Sequence, residues 1–204
     1  MRNKRHLIIA VIVFAGLQAG CGRNEGGSSS SSPSGPKAVA LKLLEAIASG
    51  DGNAMASCYD CSTEDKEYLI KQMPFLETLH KLIDAGNKAY GEKVWVEASV
   101  KAQVGMIKPD LENAKRHMQC EITGDTAKCI LKGLPKPLNL HKKGDQWLVI
   151  PQPRQLPPMS QRGDRLKSMR AAMIAIDAII PKVGAANVSA DDICAEVRKL
   201  LRPK

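Results

Sequence analysis

Apolar positions change rhythm along the chain, and each rhythm predicts an element. Residues 7–17, LIIAVIVFAGL, form an unbroken apolar run. From Pro36 or Lys37 onward the apolar residues recur at three and four: Val39, Leu43, Ala46 and Ile47, with Leu44 beside them. That spacing lays one buried stripe along a helix, and Gly50-Asp51-Gly52 ends it. A short helix over 53–59 follows. Ser62 has the form of an N-cap, with Glu64 and Asp65 in the first turn. The helix it opens carries Leu69, Met73, Leu76, Leu79, Leu82 and Ile83, and Pro74 predicts a kink or break within it.

The next segment, 93–104, reads two ways. Val94, Val96, Ala98, Val100, Ala102 and Val104 alternate as in a strand, while Trp95, Ala98 and Ala102 also fit a helix face. Beyond it the alternation is cleaner. Met118, Cys120 and Ile122 alternate with polar residues, Gly124-Asp125 supplies a two-residue turn, and Ala127, Cys129 and Leu131 return. A second hairpin turns at 142–145. With Lys143 and Gly144 central, Leu140 faces Trp147 and Leu138 faces Val149 on one apolar face. Pro151, Pro153, Pro157 and Pro158 form an extended connector. A helix through Leu166, Met169, Met173, Ile176 and Ile180 follows and stops near Pro181. A last helix carries Ile193, Val197, Leu200 and Leu201 behind a capping box of Ser189 and Asp192. Helices first and hairpins afterwards give an α+β order: N-terminal helices on a curved antiparallel sheet, with a C-terminal helical extension.

The unbroken run at 7–17 changes the picture most. It follows Arg2, Lys4 and Arg5, and a basic segment before a short apolar one is the form of an export signal. Eleven helical residues reach about 16 Å, too short for a bilayer core of about 30 Å. Residues 1–20 are therefore read as a signal peptide. The chain has 30 basic and 21 acidic residues, a net charge of +9. Three basic residues leave with the signal, so the mature chain is about +6. No basic run interleaved with aromatics occurs, which argues against nucleic acid as a partner.

Ala19-Gly20-Cys21 resembles the end of the bacterial lipoprotein signal, in which the cysteine receives the lipid. Gln18 stands where that family has an aliphatic residue. Two readings follow: lipid attachment at Cys21, or ordinary cleavage near Ala19 or Gly20. The tether at 21–36, with its run EGGSSSSSPSGP, supports the first. It is too poor in apolar residues to fold, and as a coil it spans roughly 20–25 Å. The expected address is the bacterial cell envelope, extracytoplasmic and membrane-anchored, with a soluble periplasmic or secreted form as the alternative.

The opening helix AVALKLLEAIASGD, the hairpin ITGDTA and the closing strand GDQWLVI resemble the NTF2-like superfamily, including SnoaL-like domains, as it occurs on small bacterial lipoproteins. The resemblance covers roughly 37–151, with the Pro-rich connector and helices of 152–204 outside it. It implies a curved sheet wrapped round helices as a cone, often enclosing a pocket. It also implies a long helix before the first hairpin, which favours helix for 93–104. The superfamily includes isomerases, dehydratases, transport adaptors and many lipoproteins, so fold alone does not fix activity.

Candidate chemistry centres on cysteine. Cys58-Tyr59-Asp60-Cys61 is a C-x-x-C placed where a helix ends, not after a buried strand. A structural disulfide or two packed thiols fit it better than a redox centre. In the first hairpin, Gly124-Asp125 sets Thr123 opposite Thr126 and Cys120 opposite Cys129. This is a non-hydrogen-bonded pair at about 4.5 Å, within disulfide reach. Cys194 lies on the apolar side of the last helix as a buried thiol. His80, His117 and His141 have no metal-ligand spacing, and zinc on the two cysteine pairs has poor spacing too. No catalytic, cofactor or metal residue is assigned. The expected function is a non-enzymatic, lipid-anchored domain that binds a small ligand or an envelope protein, with a second copy of the chain as a further candidate partner. The alternatives are a pocket enzyme of isomerase or dehydratase type and a thiol-disulfide oxidoreductase.

Overall fold

The structure, a computed structural model, describes residues 35–104, 110–131, 137–153 and 155–201. The signal segment, Cys21 and nearly all of the tether lie outside the described residues. Pro36 opens α1 (Pro36–Ser49), whose stripe Ala40, Leu43, Leu44 and Ile47 is buried, and Gly50 closes it. Asp51 caps α2 (Gly52–Ser57) by accepting from the Ala54 N–H at 2.9 Å. Ser62 and Asp65 form a reciprocal capping box at the start of α3 (Thr63–Ile70). The Pro74 expectation resolves as a break: α3 stops at Ile70, and α4 (Met73–Tyr90) begins with Pro74 in its first turn. There the missing N–H costs no helical bond.

Segment 93–104 is a helix, α5 (Glu92–Lys101). Its Trp95 is fully buried on α4 at Gly86. A Cβ at Gly86 would lie 2.3 Å from the indole, so only glycine permits this approach. A short helix, α6 (Leu111–His117), has no counterpart in the apolar pattern. Asp110 caps it by accepting from the Asn113 N–H at 2.9 Å.

Four strands follow as an antiparallel meander in the order β1-β2-β3-β4: β1 (Gln119–Thr123), β2 (Thr126–Ile130), β3 (Leu138–Lys143) and β4 (Gln146–Val149). The first hairpin has the expected register, with Thr123 opposite Thr126, Ile122 opposite Ala127 and Cys120 opposite Cys129. Its apolar face is not covered to the tip, since Ile122 is 57% exposed. The second hairpin corrects the expected register by two residues. Leu140 pairs with Val149 and Lys142 with Trp147. Gly144, at φ +61°, takes the first central position of the turn, as Gly124 does at φ +57° in the first hairpin. Both turns are thus Gly-Asp, with glycine where a positive φ is required. A shift of two leaves the faces unchanged.

Two hydrophobic cores result. The first lies between the sheet and α1–α3, where Leu43, Leu44, Met55, Leu69, Leu140 and Val149 pack together. The second joins α4 and α5 to α7 (Met159–Ile179) and α8 (Ala190–Leu201). It buries Leu82, Trp95, Ile176, Ile193, Cys194 and Val197. This core draws on helices from both sides of the expected boundary at 151. The α8 capping box forms as expected, with Ser189 and Asp192 bonded reciprocally. Among the described residues no helix is long and apolar enough to cross a membrane.

Candidate functional site

The chemistry-bearing residues that the fold brings together lie where α2 hands over to the sheet. Cys58 is the C-terminal cap of α2. The chain then runs beside β4 as a short strap. The Val149 N–H donates to the Cys58 carbonyl at 2.8 Å, and the Asp60 N–H donates to the Val149 carbonyl at 3.0 Å. Tyr59 thereby forms a parallel bridge with Val149. The strap closes an edge whose backbone groups would otherwise be open to pairing with another chain.

Each strap residue is tied down. Tyr59 is buried, and its phenol oxygen accepts from Gln155 Nε2 at 2.9 Å. Burial pushes its pKa up to about 12. Asp60 reaches across the sheet to β3, with Lys143 Nζ 3.1 Å from Oδ1 and His141 Nε2 2.7 Å from Oδ2. The His141 approach lacks hydrogen-bond alignment. The bond from Lys143 leads the causes that hold the Asp60 carboxyl below its ordinary range.

The two cysteines of the motif are free thiols. Cys58 is buried, and its Sγ donates to the Ala54 carbonyl at 3.3 Å. Burial raises its pKa, outweighing the opposing charge of Lys42. Cys61 is half-buried, and burial followed by the charge of Asp65 raises its pKa also. The C-terminal end of α2 gives no help to a thiolate, because helix dipoles favour anions at the opposite end. The chain from Tyr59 to Ser62 contains no turn or bend. Three extended residues separate Cα atoms by about 10 Å, beyond the roughly 7 Å that a disulfide spans. Of the two readings of Cys58 and Cys61, the structure holds packed thiols rather than a disulfide.

Behind the strap, a polar seam joins α3 to α7. Asp65 pairs with Arg162, which also donates from Nε to the Pro157 carbonyl at 3.0 Å. The Arg162 guanidinium lies 5.0 Å from the centre of the Tyr68 ring, in cation–π range. The bond from Arg162 leads the causes that lower the Asp65 pKa.

The remaining expected residues lie elsewhere. A disulfide joins Cys120 to Cys129, with Cα atoms 4.0 Å apart. Cys194 is buried in the second core beside Ser99, and burial pushes its pKa up to about 11. His117 is exposed at the end of α6, and His80 lies on α4. No pattern in the sequence connects Asp60 with His141 and Lys143, because the sheet register alone brings them together. Among the described residues no group of three or more His, Cys, Asp or Glu side chains is placed to hold a metal ion.

Leu, Met and Val side chains fill the sheet's inner face against α1–α3. An open groove of about 570 Å³ lies outside this core. Lys42, Glu45, Ser49 and Asp51 from the α1–α2 region and Leu111 from α6 line it. A smaller hollow of about 250 Å³ lies between α5 and the start of α8. The groove is wide open to solvent, with mixed charges on an apolar floor. No protein-family model matches the chain, and no curated protein or solved structure does.

Proposed function

We propose that this chain is an exported bacterial envelope protein, held to a membrane by a lipid on Cys21, whose domain binds a small ligand or a protein partner without catalysing a reaction. One observation carries the reading: a basic start, eleven apolar residues, Ala19-Gly20-Cys21 and a Gly/Ser-rich run, in that order, ahead of α1. The order supplies export, attachment and clearance from a surface in turn. The domain is an α+β unit with a curved four-stranded sheet under α1, and its finer assignment as an NTF2-like cone rests on the sequence likeness of α1, the first hairpin and the closing strand.

The pocket-enzyme alternative needs an acid or base aimed into an apolar cavity. Leu43, Leu44, Met55, Leu140 and Val149 occupy the inner face where such a cavity would open, which favours binding. The oxidoreductase alternative needs a thiolate near neutral pH, and burial raises both motif thiols away from it.

Membrane fractionation with mass analysis of the mature N-terminus tests the proposal. The expected product begins at an acylated Cys21 and sediments with membranes, while Cys21→Ala is released or stays uncleaved. A mature wild-type chain that begins beside Cys21 without a lipid leaves export standing and removes the anchor. An intact Met1 terminus in a cytoplasmic protein overturns both.

A further inference from the structure

We propose that Cys58 and Cys61 form a redox-gated latch, in which their disulfide and the attachment of the Tyr59–Asp60 strap to β4 exclude one another. Attached, the strap is extended, with Val149 bonded to Cys58 on one side and to Asp60 on the other. That conformation spaces the two Cα atoms at about 10 Å, too far for an S–S bond. Detached, three residues of chain need only fold into a turn to bring the thiols together. Both thiols already pack on the same core, Cys58 within it and Cys61 against its edge. The reduced pair therefore belongs to the closed sheet edge and the oxidised pair to an open one.

The strap is suited to release. It holds β4 through a single bridge, and its side-chain ties are the Tyr59–Gln155 bond and the Asp60 contacts to His141 and Lys143. Its loss exposes the edge of β4 and unseats Tyr59 from the first core. The oxidant is a disulfide, either low-molecular-weight or carried by a protein. The partly exposed Cys61, as thiolate, attacks one sulfur of that disulfide. The S–S bond breaks, and the departing thiolate takes up the proton that Cys61 gave. Cys58, deprotonated in turn, attacks Cys61 Sγ and expels the second thiolate, which takes up the Cys58 proton. Two protein thiols lose two electrons, and one external disulfide becomes two thiols. The device does not depend on the anchor or on the bound ligand.

The test treats the mature chain with oxidised glutathione at pH 8, follows thiol loss by alkylation and mass analysis, and measures hydrogen exchange at the Asp60 and Val149 amides. In the expected result, the peptide with both cysteines becomes two hydrogens lighter and resists alkylation. Both amides then lose at least about tenfold of their protection, the signature of a freed strap. Asp60→Ala loosens the strap and leaves both cysteines in place, and it oxidises about three- to fivefold faster than the wild type. A Cys58–Cys61 disulfide with unchanged protection at both amides overturns the proposal. So do equal oxidation rates in the two proteins, and so does an Asp60→Ala variant whose thiols stay free or stop as a mixed disulfide on Cys61.

Discussion

The two cores use similar side chains and are closed by different means. The second is helix against helix, with Leu82, Trp95, Ile176 and Val197 inaccessible to water and a glycine admitting the indole. Its cross-connections include the Tyr90 hydroxyl, which donates to the Val188 carbonyl at 3.0 Å and accepts from the Gly184 N–H at 2.9 Å. The first core has a sheet on one side, and a sheet has edges. It is stitched by a disulfide at one edge and a strap at the other, with the Asp60 cluster and the Arg162 seam outside. Packing closes the helices, with exposed ion pairs such as Lys101–Asp191 and Lys182–Glu196 at the rim. A small sheet recruits thiols, charges and a borrowed strand, and so the candidate chemistry of this chain gathers round the first core.

The chain's two tryptophans report separately on this contrast, since Trp95 lies in the second core and Trp147 packs on the first. Cutting the chain after Pro181 makes the sharpest break. It removes Ile193, Cys194, Val197 and Leu201, all buried, and costs on the order of 6–12 kcal/mol at about 1.5–3 kcal/mol per side chain. Trp95 emission moves to that of exposed indole, while Trp147, read in a Trp95→Phe background, keeps its folded signal. Simultaneous loss of both signals would show one cooperative unit instead of two. Gly86→Ala comes next, at about 3 kcal/mol in denaturant unfolding, because the new methyl collides with a flat ring that has no free rotamer. Reduction of Cys120–Cys129 touches the first core alone and costs at most about 2–3 kcal/mol for a loop this short. It lowers the midpoint read at Trp147 before that read at Trp95.

Asp60→Asn has the smallest effect, below about 1 kcal/mol, as suits a partly solvated pair. Its sign is fixed by pH. The folded-state pKa is lowered, so the ionised group stabilises fully above the ordinary value of 3.8, and that contribution is lost as pH falls through the lowered one. Acid titration of stability therefore runs shallower in the variant below about pH 4, and the two proteins differ by a constant amount near neutrality.

What could be read from the sequence follows from how local each determinant is. Helices α1, α4, α7 and α8 announce themselves because three-and-four spacing is a property of adjacent turns. The first hairpin could be registered to the residue because Thr-Gly-Asp-Thr fixes its turn. The second offers two turn centres, and Gly144-Asp145, which repeats the first turn, sets a register two residues from the one that Lys143-Gly144 implies. Helix α6 has few apolar residues in seven, so its one signal was the Asp110 cap. The Asp60 cluster was out of reach for a different reason. His141 and Lys143 meet Asp60 across β4, and such a meeting depends on strand order, which no short pattern encodes. Similarly, helical spacing showed that α7 and α8 must bury a face but not that α4 and α5 would receive it.

The cores also differ in when their parts arrive. Along the chain the contributions alternate: 39–76 to the first core, 75–104 to the second, 111–156 to the first again and 166–201 to the second. Neither core is contiguous. A chain emerging from its N-terminus presents three helices that have no sheet to cover, then two more that have no bundle to join. Both wait for partners across long loops, and closing such loops precedes the contacts that reward it. For much of its synthesis the chain carries two unfinished apolar faces at once, each able to cover the other wrongly. A helper that shields exposed apolar chain until residue 201 is out would act on this protein more strongly than on one whose halves fold in turn.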